Sequence, residues 1–226
     1  MIPKVIFKFD KEKDLYNIWE TCNKDSPFKD FKKTVHPDIL KICQGKKFEE
    51  CKKSLEQNKK TLYTSGLIET FTKALQGGWD KFNDEYFKRL EKVMKKPICS
   101  NQFTAYLTTM MRCPYNIKEY TFMTSFFRSI SESLKTPCHE IMHFQFYKYY
   151  WRKVEKEIGE EKTGHLKEAL TVLLNSEFKD LYFFEEPGYD IHKELRNFIS
   201  NQWKKNKDFD ILVDESIKWI KKNGIK

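Results

Sequence analysis

No apolar run in this chain is long enough for a secretory signal or a membrane span; it opens Met1-Ile2-Pro3-Lys4 and turns at once into charged sequence. No C-x-x-C pair occurs among Cys22, Cys43, Cys51, Cys99, Cys113 and Cys138, and no spacing among them resembles a zinc finger. Together these absences lead us to expect a cytoplasmic protein with reduced thiols, not a disulfide-stapled secreted one. Nor is there an internal repeat or a low-complexity linker, so residues 1–226 are read as a single domain. No nucleic-acid-binding motif accompanies the net charge of +9, which is spread over Lys-rich helix faces instead of being gathered in one arm. Neither nucleic acid nor membrane is therefore expected as a partner, and oligomeric state is left open.

Aromatic residues are abundant, with 19 Phe, 11 Tyr and 5 Trp, so the core is expected to be built largely from rings. Val5 to Phe9 reads as a short strand. Helices are expected at Lys11 to Cys22, Pro37 to Cys43, Lys46 to Asn58, Ser65 to Leu75 and Trp79 to Lys95, with breaks at Ser26-Pro27, Gly45, Gly77-Gly78 and Pro97. Phe82, Tyr86, Leu90 and Val93 form an apolar stripe at helical spacing, and His36 reads as a surface or capping residue. The texture changes at Pro97. Phe103 to Met111 and Tyr120 to Phe127 carry no charge over most of their length and read as strands, joined by a connection that suits a long hairpin loop. If either had a free edge, an extended peptide could add to it as a further strand. The fold class expected is α+β, predominantly helical, with a small, mostly antiparallel sheet. Residues 1–98 form a mainly helical N-terminal part and 99–226 carry the chemistry.

That chemistry is legible in Thr136-Pro137-Cys138-His139-Glu140-Ile141-Met142-His143, which contains His-Glu-x-x-His. Residues four apart lie one above the other on a helix, so His139 and His143 can aim two imidazoles at one metal ion with Glu140 beside them. Thr136 is a plausible cap and Pro137 suits the first helical position. Cys138 points about 100° away from His139, the angular step of a helix, and reads as a small buried residue. After a charged turn at Gly159 to Thr163, a second helix is expected from Gly164 to Ser176. Leu166, Leu170 and Leu173 share one of its faces, and Glu168, Val172 and Asn175 the other, so it can be packed on both sides. If the second face meets the first helix, Glu168 completes a His-His-Glu site; a Glu opposite leucines otherwise points into water. Glu177 and Asp180 are the fallback ligands.

These two helices resemble the gluzincin (thermolysin-like) branch of the zincin metallopeptidases. There a His-Glu-x-x-His helix is followed by a helix with a pattern close to Gly-x-x-Asn-Glu-x-x-Ser-Asp. Here Gly164 and Glu168 match, Thr171 stands in place of Ser, Lys167 replaces Asn, and Val172 replaces the Asp that orients one histidine ligand. Asn175 or a backbone carbonyl could take over that orienting role. Phe146 and Tyr149 stand where the metzincin extension would need Gly and His. The resemblance implies one Zn2+ per chain held by His139, His143 and Glu168, with Glu140 as general base in hydrolysis of a peptide or protein substrate. It further implies a downstream donor to the oxyanion, for which His192 and Tyr189 are the candidates, with Asp190 available to orient an imidazole; His165 reads as a surface residue. The alternative is a non-catalytic helical interaction protein that binds an acidic partner and whose histidines are incidental.

Overall fold

The structure, a computed structural model, describes residues 2–25 and 29–225. It is 66% helical with one four-stranded mixed sheet, which places it in the predominantly helical α+β class. The chain divides into two compact units, each discontinuous in sequence, so that residues 1–98 and 99–226 both contribute to each. One unit, called the sheet unit here, comprises Val5–Lys81 and Phe103–Leu134. The other, the helical unit, comprises the chain as far as Lys4, Phe82–Gln102, and everything from Lys135.

In the sheet unit, β1 (Lys4–Phe9) leads through the cap Asp10, whose carboxylate accepts from Lys13 N (3.1 Å), into α1 (Lys11–Asn23). The Ser26-Pro27 break lies outside the described residues. A 3-10 turn, Phe31–Thr34, precedes α2 (Pro37–Cys43), which has His36 at its N-cap accepting from Asp38 N (3.3 Å). Next come α3 (Phe48–Thr64) and α4 (Leu67–Asp80). The glycine pair does not break α4. A Cβ at Gly78 would lie 2.9 Å from Leu134 Cδ1, so this glycine serves close packing. Leu15, Ile18, Cys22, Ile39, Cys43, Cys51 and Leu55 form the core of α1, α2 and α3.

The sheet runs β1, β2 (Gln102–Thr108), β4 (Thr121–Ser125), β3 (Tyr115–Asn116). The expected hairpin is not formed: β2 and β4 are parallel, with Thr104 opposite Thr121 and Thr108 opposite Ser125. The intervening residues supply β3, which turns back antiparallel on β4, and this reversal lets β4 return in the direction of β2. Both long strands are interior, so neither offers the free edge that strand addition would need. The outer edge of β1 is also engaged, since Gln76 of α4 accepts from Phe7 N (2.9 Å) and donates to Val5 O (3.1 Å). Asp14 ties α1 to the sheet. Its wholly buried carboxylate accepts from Thr108 Oγ1, Thr109 N, Thr109 Oγ1 and Tyr63 OH, all at 2.7–2.8 Å.

The helical unit begins with α5 (Asn83–Met94), whose Phe82–Val93 stripe is buried as expected. Then follow α6 (Ile130–Tyr149), α7 (Trp151–Ile158), α8 (Glu160–Leu170), α9 (Leu173–Glu177), α10 (Lys179–Tyr182), a 3-10 turn Asp190–His192, α11 (Lys193–Lys205) and α12 (Phe209–Asn223). Of these, α6 begins in the sheet unit and carries its histidines in the helical unit. Pro137 lies inside α6 and not at its start. Proline has no N–H for the carbonyl of Ser133, and Thr124 Oγ1 donates to that oxygen instead (3.4 Å), offsetting part of the usual cost. The charged stretch after Gly159 is the first turn of α8; the reversal is made by Gly159 alone, at φ +80°. Rings dominate this core. Tyr86 packs 5.3 Å from Phe178 and donates to Cys138 O (2.8 Å), while Tyr150 packs 5.1 Å from Phe209.

Candidate metal centre

Helical spacing stacks His139 and His143 with ring centroids 4.3 Å apart. Glu168, on α8, meets both: Oε1 lies 3.2 Å from His143 Nε2 and Oε2 lies 3.5 Å from His139 Nε2. Donor atoms of these three residues all fall within 4.8 Å of one another, the spacing of a set that could hold a metal ion. The bland alternative, a Glu168 pointing into water, does not apply, since it is only 8% exposed. Helix α8 is buried at Leu166 and Leu170 and also at Lys167 and Glu168, the two-sided packing its sequence suggested. The fallback ligands are engaged elsewhere: Glu177 accepts from Trp203 Nε1 and pairs with Lys207, and Asp180 pairs with Arg89 at 2.7 Å.

A second carboxylate, not anticipated from the sequence, serves His139 from the other side. Glu186 Oε2 lies 3.3 Å from His139 Nδ1 and 2.9 Å from Lys135 Nζ, one turn earlier on α6. The backbone of Glu186 is held from two helices. Asn175 of α9 donates to its carbonyl (2.9 Å) and accepts from its N–H (2.7 Å), and Arg196 of α11 donates to the same carbonyl (2.6 Å) and to Thr171 Oγ1 (3.0 Å). Gly188, at φ +69°, lets the loop lie flat on Arg196: a Cβ there would be 2.6 Å from the guanidinium carbon. Asn175 thus supports His139 at one remove, by positioning the carboxylate that faces the ring.

Charges around the site differentiate its groups. Burial pulls His139 down, but Glu186 and Glu168 outweigh it and raise the imidazole to about 10. Burial together with the Lys167 charge brings His143 down to about 3, against the pull of Glu168. Burial alone would raise Glu168 and Glu186; their cationic and imidazole neighbours win, and both carboxyls sit well below the usual range. Glu140 behaves otherwise. Burial dominates and lifts it to about 7, and its Oε2 is buried with no hydrogen-bond partner among the described residues.

His192 and Tyr189 form a separate cluster. His192 is fully buried, with Nε2 2.8 Å from His165 Nδ1 and the Tyr189 ring 5.7 Å away. Its orienting neighbour is His165, which is half-buried, and not Asp190, which is exposed. Among the residues missed, Lys167 was visible only as a departure from a pattern, and Lys135 lay just ahead of the expected helix start at Thr136. Glu186 lies 47 positions from His139, and its one local sign was the Pro187-Gly188 turn that follows it. No protein-family model, curated protein or solved structure matches the chain.

Proposed function

We propose that this chain is a zinc-dependent metallopeptidase of the gluzincin kind that its two helices resemble, cleaving peptide or protein substrates in the cytoplasm with one Zn2+ per chain. The observation that carries this reading is the convergence of His139, His143 and Glu168 within 4.8 Å, in a neighbourhood where the buried Glu140 keeps one oxygen unpartnered. Two imidazole nitrogens and one carboxylate oxygen are a donor set that suits zinc and leaves a tetrahedral position open. Bound there, zinc supplies Lewis acidity to a scissile carbonyl and makes water acidic enough to be deprotonated near neutral pH.

The residues of the chain do the rest. Glu140, buried beside the two histidines, takes the proton of the attacking water and returns it to the leaving amine. Glu186 fixes the His139 ring through Nδ1, which leaves Nε2 on the side of Glu168, where it would hold zinc; this is the orienting task that Val172 cannot perform. Of the two candidate donors to the oxyanion, His192 is buried with its Nε2 facing His165, whereas Tyr189 is half-exposed. Six free thiols suit a reducing compartment.

The test is elemental mass spectrometry of the native chain and Glu168→Ala, with hydrolysis of a peptide library by the native chain and Glu140→Gln. Near one zinc per native chain is expected, with clear loss in Glu168→Ala. Glu140→Gln should keep zinc and lose turnover by roughly 100-fold or more. Absence of metal from the native chain, even when zinc is supplied, would sink the reading and favour a non-catalytic protein that binds an acidic partner.

A further inference from the structure

Lys167 is a buried cation for which peptide hydrolysis has no assigned task. It is 5% exposed, with Nζ 2.8 Å from Glu168 Oε1 and 5.5 Å from the centroid of the Tyr147 ring. The oxygen it touches is the one that lies 3.2 Å from His143 Nε2. An ammonium on the carboxylate of a metal ligand has two opposed effects. It steadies the carboxylate, which favours metal binding. It also sets a positive charge beside the place of a dication and neutralises part of the ligand's own charge, which opposes binding.

The second effect should win here. Glu168 has other restraints: both imidazoles contact it, and its helix is buried at Leu166, Ala169 and Leu170 around it. The repulsion is offset only in part, by the Tyr147 ring and by the charge of Glu140, and a buried site has little water or salt to screen it. Resting on the zinc reading above, we propose that Lys167 acts through Glu168 as an internal competitor of the metal, loosening the grip of the His139-His143-Glu168 triad so that metal loading stays reversible. Lys167 is in this sense a positioning residue whose charge sets affinity, and the face of Tyr147 gives the ammonium a second favourable contact.

The experiment is zinc affinity measured at fixed pH by competition with a fluorescent chelator, on the native chain, Lys167→Met, Lys167→Gln and Lys167→Arg. Structural damage can only weaken binding, so tightening is diagnostic. Lys167→Met should bind zinc at least about tenfold more tightly than the native chain, the lower end of what groups around a metal site usually change. Lys167→Gln, which keeps a donor for Oε1 without the charge, should tighten as well, and it decides the matter if Lys167→Met proves unstable. Lys167→Arg should stay within threefold of native. Native-like or weaker binding by Lys167→Gln, with the native chain taking up zinc, overturns the competitor role and leaves the peptidase reading standing. Failure of the native chain and every variant to take up zinc overturns both.

Discussion

Gly188→Ala is the sharpest probe of how the site is supported, because a single methyl group should be felt at His139 through two intermediaries. The alanine must hold φ +69°, a left-handed conformation costing about 1–2 kcal/mol for a residue with a Cβ. Its Cβ would also fall 2.6 Å from Arg196 Cζ and 2.7 Å from Nε and Nη1, so the guanidinium has to move. An arginine end is ordinarily free to do so. This one is 6% exposed and tied to Glu186 O and Thr171 Oγ1, and losing even one such charge-assisted bond costs about 1.5–3 kcal/mol. Together the two costs come to about 2.5–5 kcal/mol. Urea unfolding of Gly188→Ala in the native background and in Arg196→Met measures them separately. Without the guanidinium only the backbone strain remains, so the alanine should then cost about 1–2 kcal/mol. An equal penalty in both backgrounds would refute the idea that Gly188 exists to admit Arg196.

Four further outcomes are expected. Asp14→Ala removes the acceptor of four hydrogen bonds, three of them buried, and should destabilise the protein by about 3–5 kcal/mol in urea melts, well beyond an exposed Asp→Ala control. Tyr86→Phe strips one bond from the carbonyl of Cys138 in the motif helix and should cost about 1–2 kcal/mol by the same assay. His192 is held neutral by burial, with its pKa brought down from 6.5 to about 4. Its contribution to stability is therefore complete above pH 6.5 and is lost as pH falls toward 4, by about 3 kcal/mol at most. His192→Phe should flatten that acid slope in urea titrations between pH 7 and 4, and an unchanged slope would mean that other groups carry it. Zinc at a hundred times its dissociation constant should raise stability by about 2.7 kcal/mol in thermal melts of the native chain, an effect absent in Glu168→Ala.

What the sequence disclosed, and what it hid, follows from the range of the interaction involved. Local signals were legible: Pro37 behind the capping His36 marks the limits of α2, and the i, i+4 histidines needed only a helix to be brought together. Glu168 was legible only in company: opposite leucines it would read as solvated, and the upstream His-Glu-x-x-His made it the candidate third donor. The strand pairing was not, since loop length suggests a hairpin only if the connection contains no strand of its own, and Tyr115–Asn116 is one. Two glycines at Gly77-Gly78 look alike whether they end a helix or make room for Leu134, and the difference lies in a residue 56 positions away. Pro137 was misplaced for a related reason: the hydroxyl that relieves its missing hydrogen bond belongs to a strand. Glu186 could not be found locally at all, because its backbone is positioned by Asn175 and Arg196 and its carboxylate matters only to His139.

The pinning of the Glu186 loop also sets an order of assembly during synthesis. His139, His143 and Glu168 leave the ribosome well before Arg196, so a nascent chain possesses all three donors while the loop that steadies His139 still lacks one of its two anchors. Only once α11 has emerged and placed its guanidinium beneath Gly188 is the support of the Glu186 loop complete.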